Sequence, residues 1–146
     1  MASRRAVRLR AQLEGGRDRW RRWVILGQGV YYVLIGLWPL LHFSSFARFV
    51  ALQVIPFQAH ALAAVLVVVG ASLIEAARRE TPGPFPTLLG MGVAGAIAVV
   101  GLFWLPRMGV ASGLWVDLVL EVACAAALVL LYPRPQPERG RRSRRH

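Results

Sequence analysis

The chain contains no lysine: all 18 of its basic residues are arginine. We read that as the codon bias of a GC-rich genome, and only secondarily as chemistry, since arginine holds phosphate more rigidly than lysine does. Cysteine is nearly absent too. The one thiol, Cys124, lies within an apolar run, where it excludes an intrachain disulfide and reads as a small packing residue. Acidic residues number only seven. Missing as well are a phosphate-binding loop, a nucleophile elbow, a CxxC pair and an HExxH helix. No segment outside the apolar runs is long enough to fold as a catalytic domain, so no enzyme is expected and no cofactor is implied.

The scarcest feature is charge in the middle of the chain. Only 17% of the 146 residues are charged, against about a quarter in a soluble domain. Eight arginines precede Trp23 and six follow Tyr132. What fills the space between is apolar: 56% of the chain is hydrophobic and the mean hydropathy is +0.49. The net charge of +11 is compatible with a nucleic-acid ligand. Arginines flanking apolar runs have a simpler use, fixing orientation in a bilayer and holding anionic head groups at about 1 kcal/mol each. Lipid head groups are therefore the expected partner, with Arg21, Arg22, Arg78, Arg79 and Arg134 as the contacts, and nucleic acid is not.

Four apolar stretches stand out, at about 23–43, 56–77, 87–105 and 113–132. Each approaches the ~20 residues a helix needs to cross ~30 Å of hydrocarbon. They are continuous and not alternating, which excludes barrel strands, and in lipid only helices satisfy such a backbone internally. The expected fold is an all-α membrane protein, an antiparallel up-down bundle of four transmembrane helices. Residues 1–22 form a basic tail, 23–132 the membrane domain, and 133–146 a disordered basic tail. A cleaved export signal is not expected, because the first apolar run is too long for one.

Arginine placement sets the orientation. Arg48 alone marks the first connection and Arg107 the third, whereas Arg78 and Arg79 mark the second and both tails are rich in arginine. This predicts both termini in the cytoplasm and the chain in the inner membrane. Trp20, Trp23, Phe85 and Tyr132 would then mark the inner interface, and Trp38, Phe43, Phe57, Trp104 and Trp115 the outer one. The second connection, with Pro82, Pro84 and Pro86, reads as a non-helical turn. In the first, Phe46, Phe49, Val50 and Val54 share an apolar face, which predicts a short helix lying in the outer interface. Small residues mark the packing faces: Gly90, Ala94 and Ala98 at four-residue spacing make the third span the expected central helix. Such stripes serve a homo-oligomer or another membrane partner equally well.

Ionisable groups within a span are costly and usually face the bundle interior. Asp117 and Glu121 are four apart on the fourth span and share one face. Counted from Gly113 at 1.5 Å per residue, they lie roughly 6 and 12 Å deep. Two carboxyls this close in a poorly solvating medium suit the carriage of a proton. His60 starts the second span at a similar height, and His42 ends the first. Gln28, Tyr32 and His42 fall along one face of the first span, with Tyr31 beside them. The candidate intramembrane polar site is therefore Glu121, Asp117, His60, His42, Tyr32 and Gln28. The bland readings are a wet interfacial His42, a His60 bonded only across helices, an Asp117 paired with Arg107, and a Glu75 paired with Arg78 and Arg79. No metal-ligand spacing supports a metal site.

Tyr31, Tyr32, the run Gly36, Leu37, Trp38, Pro39 and Leu40, then His42, Ser45 and Phe46 resemble the first span of a group of small four-helix bacterial membrane proteins of unassigned function. Where that group has a polar Gly-Pro-Lys loop, residues 47–55 here are apolar. The resemblance covers the first third of the chain and implies four spans, without a mechanism. Two roles are expected: a structural or accessory, self-associating inner-membrane protein, or a small transporter handling protons or cations at the intramembrane acidic and histidine residues.

Overall fold

The computed structural model describes residues 2–50, 55–79, 83–108 and 113–132. Among them are five helices: α1 (Ala2–Leu41), α2 (Phe43–Val50), α3 (Pro56–Arg78), α4 (Pro84–Met108) and α5 (Leu114–Leu130). Three segments, Gly15–Leu41, Pro56–Arg78 and Pro84–Arg107, are long and apolar enough to cross a membrane. The residues expected to form a fourth span hold α5, whose 17 helical residues are fewer than in any of those three.

Two boundaries differ from expectation. The basic segment 1–22 is helical, since α1 runs without a break from Ala2 through it. It has no proline to break a helix, and its arginines, alanines and leucines are good helix formers that offset the Gly15-Gly16 pair. The proline-rich connection is also shorter than its composition implied. Pro84 and Pro86 sit inside the first turn of α4, where a proline loses no intrahelical hydrogen bond. Pro82, the expected disordered tail 133–146 and Val54 lie outside the described residues.

The helices pack as two antiparallel hairpins, α1 with α3 and α4 with α5. The centre is α1, which touches each of the other four; α4 meets α3 only slightly. The expectation of a central third span is thereby corrected. The reason lies in glycines of α1. A Cβ on Gly29 would stand 2.8 Å from the Gly70 carbonyl oxygen, and one on Gly70 would stand 2.6 Å from that of Gly29. A Cβ on Gly36 would stand 2.7 Å from the Ala63 oxygen. The two backbones touch, which recovers by close van der Waals contact what lipid denies in hydrophobic drive. The stripe continues to Arg22, whose Nε donates to the Ala77 carbonyl at 2.6 Å. Seven residues forward on α1 match seven back on α3, a spacing that keeps one stripe facing one partner over two turns.

The small residues of α4 serve α5 and α1 instead. Gly90 faces Leu128 and the Gln28 amide, and Gly101 faces Leu118. Gly92 and Gly95 face open space. Ile25, Tyr32, Leu73, Ala77 and Leu128 form the core cluster. Much of the outer surface is apolar: Leu62, Val68, Val99, Val119 and Leu130 are among its exposed side chains. A soluble monomer does not sustain such continuous exposure; a lipid-facing surface does.

Candidate functional site

Glu121 is 2% exposed, although α5 is largely uncovered on its other sides. Its Oε2 accepts from the Tyr32 hydroxyl at 2.8 Å. Gln28, one turn earlier on α1, donates through Nε2 to that hydroxyl at 3.0 Å and to the Gly90 carbonyl at 2.9 Å. The amide fits there because Gly90 has no side chain: a Cβ would lie 2.5 Å from Gln28 Oε1. One helical turn before Glu121, Asp117 accepts through Oδ1 from the Tyr31 hydroxyl. The neighbouring tyrosines, about 100° apart around α1, thus each hold one carboxyl of α5. Three helices contribute to the chain from the Gly90 carbonyl through Gln28 and Tyr32 to Glu121, and the Tyr31–Asp117 pair stands beside it. Gln28 Oε1 and Thr87 Oγ1 are buried without a hydrogen-bond partner.

Among the described residues the ion pairs are Arg21–Asp18 at 3.2 Å and Arg78–Glu75 at 3.8 Å. Among these residues neither Asp117 nor Glu121 pairs with a cationic side chain; tyrosine hydroxyls donate to both. Arg107, weighed above as a partner for Asp117, folds instead over the Phe103 ring, 3.8 Å from its centroid, and donates to the Phe103 carbonyl.

Asp117 and Glu121 both line a cavity of about 480 Å³ between α1, α3 and α5. Ile35, Leu62, Leu66 and Ile97 form its apolar walls, and Phe46, Phe49 and Val50 of α2 lie across one side. The short helix is held there by its own sequence. His42 Nδ1 accepts from the backbone N–H of Ser45 at 3.3 Å, capping the first turn. Trp38 donates to Ser45 Oγ at 2.7 Å and packs on Phe46 and Phe49, with ring centroids 6.0 and 5.0 Å away.

The expected polar site is therefore brought together in part. Gln28, Tyr32, Asp117 and Glu121 converge, and Tyr31, set beside them in the sequence, is a full member. The two histidines stand apart. His42 is an exposed helix cap. His60 donates from Nε2 to the Pro39 carbonyl at 3.2 Å and packs on Phe43 at 5.4 Å. Gly90, Phe46 and Phe49 were read from sequence only as packing or interfacial residues; no motif marks a glycine as an acceptor for a distant amide. Among the described residues no cluster of three His, Cys, Asp or Glu is placed to hold a metal ion.

Comparison with known protein families, characterised proteins and solved structures returns no match to this chain. The chemistry of the site has to be read from its own geometry.

The head-group arginines are spread over several environments. Arg21 is 4% exposed, beside Asp18. Arg22 binds the Ala77 carbonyl near the end of α3, and Arg17 donates to the Leu130 carbonyl at the end of α5, 2.9 Å away. Positive charge at a helix C-terminus is stabilising. Arg78 and Arg79 are exposed, and Arg134 lies outside the described residues.

Proposed function

We propose that this chain is a four-span protein of the bacterial inner membrane, with both termini cytoplasmic, that takes up a proton or a cation at Asp117 and Glu121. The topology rests on the collection of charge at one end. Arg17, Arg22, Arg78 and Arg79 gather where α3 and α5 finish, together with the exposed Trp20, Trp23 and Phe85. The opposite end carries Arg48 and Arg107 with the exposed Phe57, Trp104 and Trp115. Seventeen helical residues in α5 span roughly 25 Å, and Gly113, Leu131 and Tyr132 extend its reach toward both interfaces.

The observation that carries the functional reading is Glu121 itself: an acidic side chain in the interior, bordering a cavity, with no cationic side chain beside it among the described residues. A purely structural polar contact between helices is met by serine, threonine or glutamine without the cost of a carboxyl. The tyrosine hydroxyls hold both carboxyls in place and leave them able to exchange a proton or accept a positive charge.

The test is flux in liposomes containing the purified chain. The parent is expected to dissipate an imposed proton or monovalent-cation gradient, and Glu121→Gln to reduce that rate at least tenfold while retaining the fold. Equal rates in parent and variant contradict the reading. A structural, self-associating accessory role is then the second reading. What favours it is the face of α4 where Gly92 and Gly95 stand open to a neighbouring helix.

A further inference from the structure

The cavity beside the two carboxyls has a composition of its own. We propose that it is a binding site for a lipophilic organic cation: a single positive charge on an aromatic or branched alkyl body. The inference rests on the cation-handling reading above and narrows it to a substrate class.

Size comes first. About 480 Å³ is far more than one water or a bare ion occupies, and it falls within the range of small-molecule sites. Shape and polarity come next. Ile35, Leu62, Leu66 and Ile97 offer hydrocarbon on several sides. A hydrophilic solute gains nothing from such walls and loses its hydration. An alkyl or aromatic body suits them.

Charge then chooses among hydrophobic ligands. Among the described residues, Asp117 and Glu121 are the only charged side chains bordering the cavity, and no arginine or histidine lies within ion-pair distance of either. An anion would meet repulsion there. A neutral lipid tail would leave two carboxyls facing hydrocarbon. A ligand cation supplies the missing counter-charge where the low dielectric makes pairing strong. Phe46, Phe49 and Tyr31 also border the space, and aromatic faces attract cations. The position of α2 fits as well. Its apolar face lies over the cavity while its sequence-distant side carries Ser44 and Arg48.

The probe is tetraphenylphosphonium, with tetraphenylborate as an anion of the same shape. Equilibrium binding is measured on the full chain in phosphatidylcholine nanodiscs, over the background of empty discs. Saturable phosphonium binding is expected, with no competition from the borate. Asp117→Asn combined with Glu121→Gln is expected to weaken it at least tenfold. Ile35→Trp, at a half-buried wall position, keeps both carboxyls but fills the cavity; it is expected to abolish binding and leave thermal unfolding near that of the parent. Absence of saturable binding by the parent overturns the proposal, as does equal binding of the borate or undiminished binding by Ile35→Trp. If Glu121-dependent flux persists while the phosphonium does not bind, only this substrate assignment fails. If both fail, the cation-handling reading falls with it.

Discussion

Tyr32 occupies the point where three helices exchange polar contacts, accepting from Gln28 and donating to Glu121. Removing its hydroxyl leaves a buried carboxyl without that donor and a buried amide without one acceptor. An unsatisfied buried group costs about 1–3 kcal/mol in water-soluble folds, and hydrogen bonds between membrane helices average below 1 kcal/mol. Tyr32→Phe is expected to lower stability by about 1–2 kcal/mol. Tyr31→Phe is expected to cost less, because Asp117 is only partly buried. Thermal or denaturant unfolding in detergent orders the two variants; the reverse order would show that Asp117 holds the stronger bond.

At this scale the sequence was informative for α5 and α1, and for the histidines in their blander reading: an interfacial His42 and a His60 bonded across helices. A four-residue spacing fixes Asp117 and Glu121 on one face whatever their neighbours. Counting residues from a helix end gives height but not direction. His60 stands near the right height, yet it belongs to the face of α3 that meets the end of α1, where Pro39 presents a carbonyl. His42 lies beyond the last turn of α1 and is taken by the start of α2. Neither outcome depends on composition; both follow from which helix packs on which.

Among the elements, α2 was legible because its apolar residues recur on one helical face, and the helix is found at Phe43–Val50. The start of α4 was not, because three prolines in seven residues suggest a turn, whereas two of them fit a helix's first turn. The pairing of α1 with α3 was the larger omission. Gly29 and Gly36 lie in a span rich in large side chains, so they do not form an obvious small-residue run. Their meaning appears only beside Ala63 and Gly70, read in the opposite direction at the same spacing. Gly70→Val tests that contact. Any Cβ there already overlaps the Gly29 carbonyl and Val33, and overpacking costs about 1–3 kcal/mol. Unfolding measurements should show a loss of that order for Gly70→Val and little change for Gly92→Val, whose site is open. Equal effects would mean that the hairpin is not held by backbone contact.

For the molecule as a whole, arginine placement and apolar run length were enough to expect a helical membrane protein. They did not set which pair of helices forms the tight core, since several spans carry small residues in stripes. The account depends most on α5, the shortest of the long helices and the one bearing both carboxyls. If α5 crosses the bilayer, Asp117 and Glu121 lie within it. If α5 rests on one surface, they are ordinary interfacial acids and the cavity opens to water. The direct test is single-cysteine labelling in intact cells with a membrane-impermeant maleimide, in a Cys124→Ala background. Arg107→Cys, before α5, is expected to label from outside, and Ser143→Cys, after it, only once the inner membrane is permeabilised. Labelling of both positions from the same side would contradict a transmembrane α5, and with it the intramembrane carboxyl site.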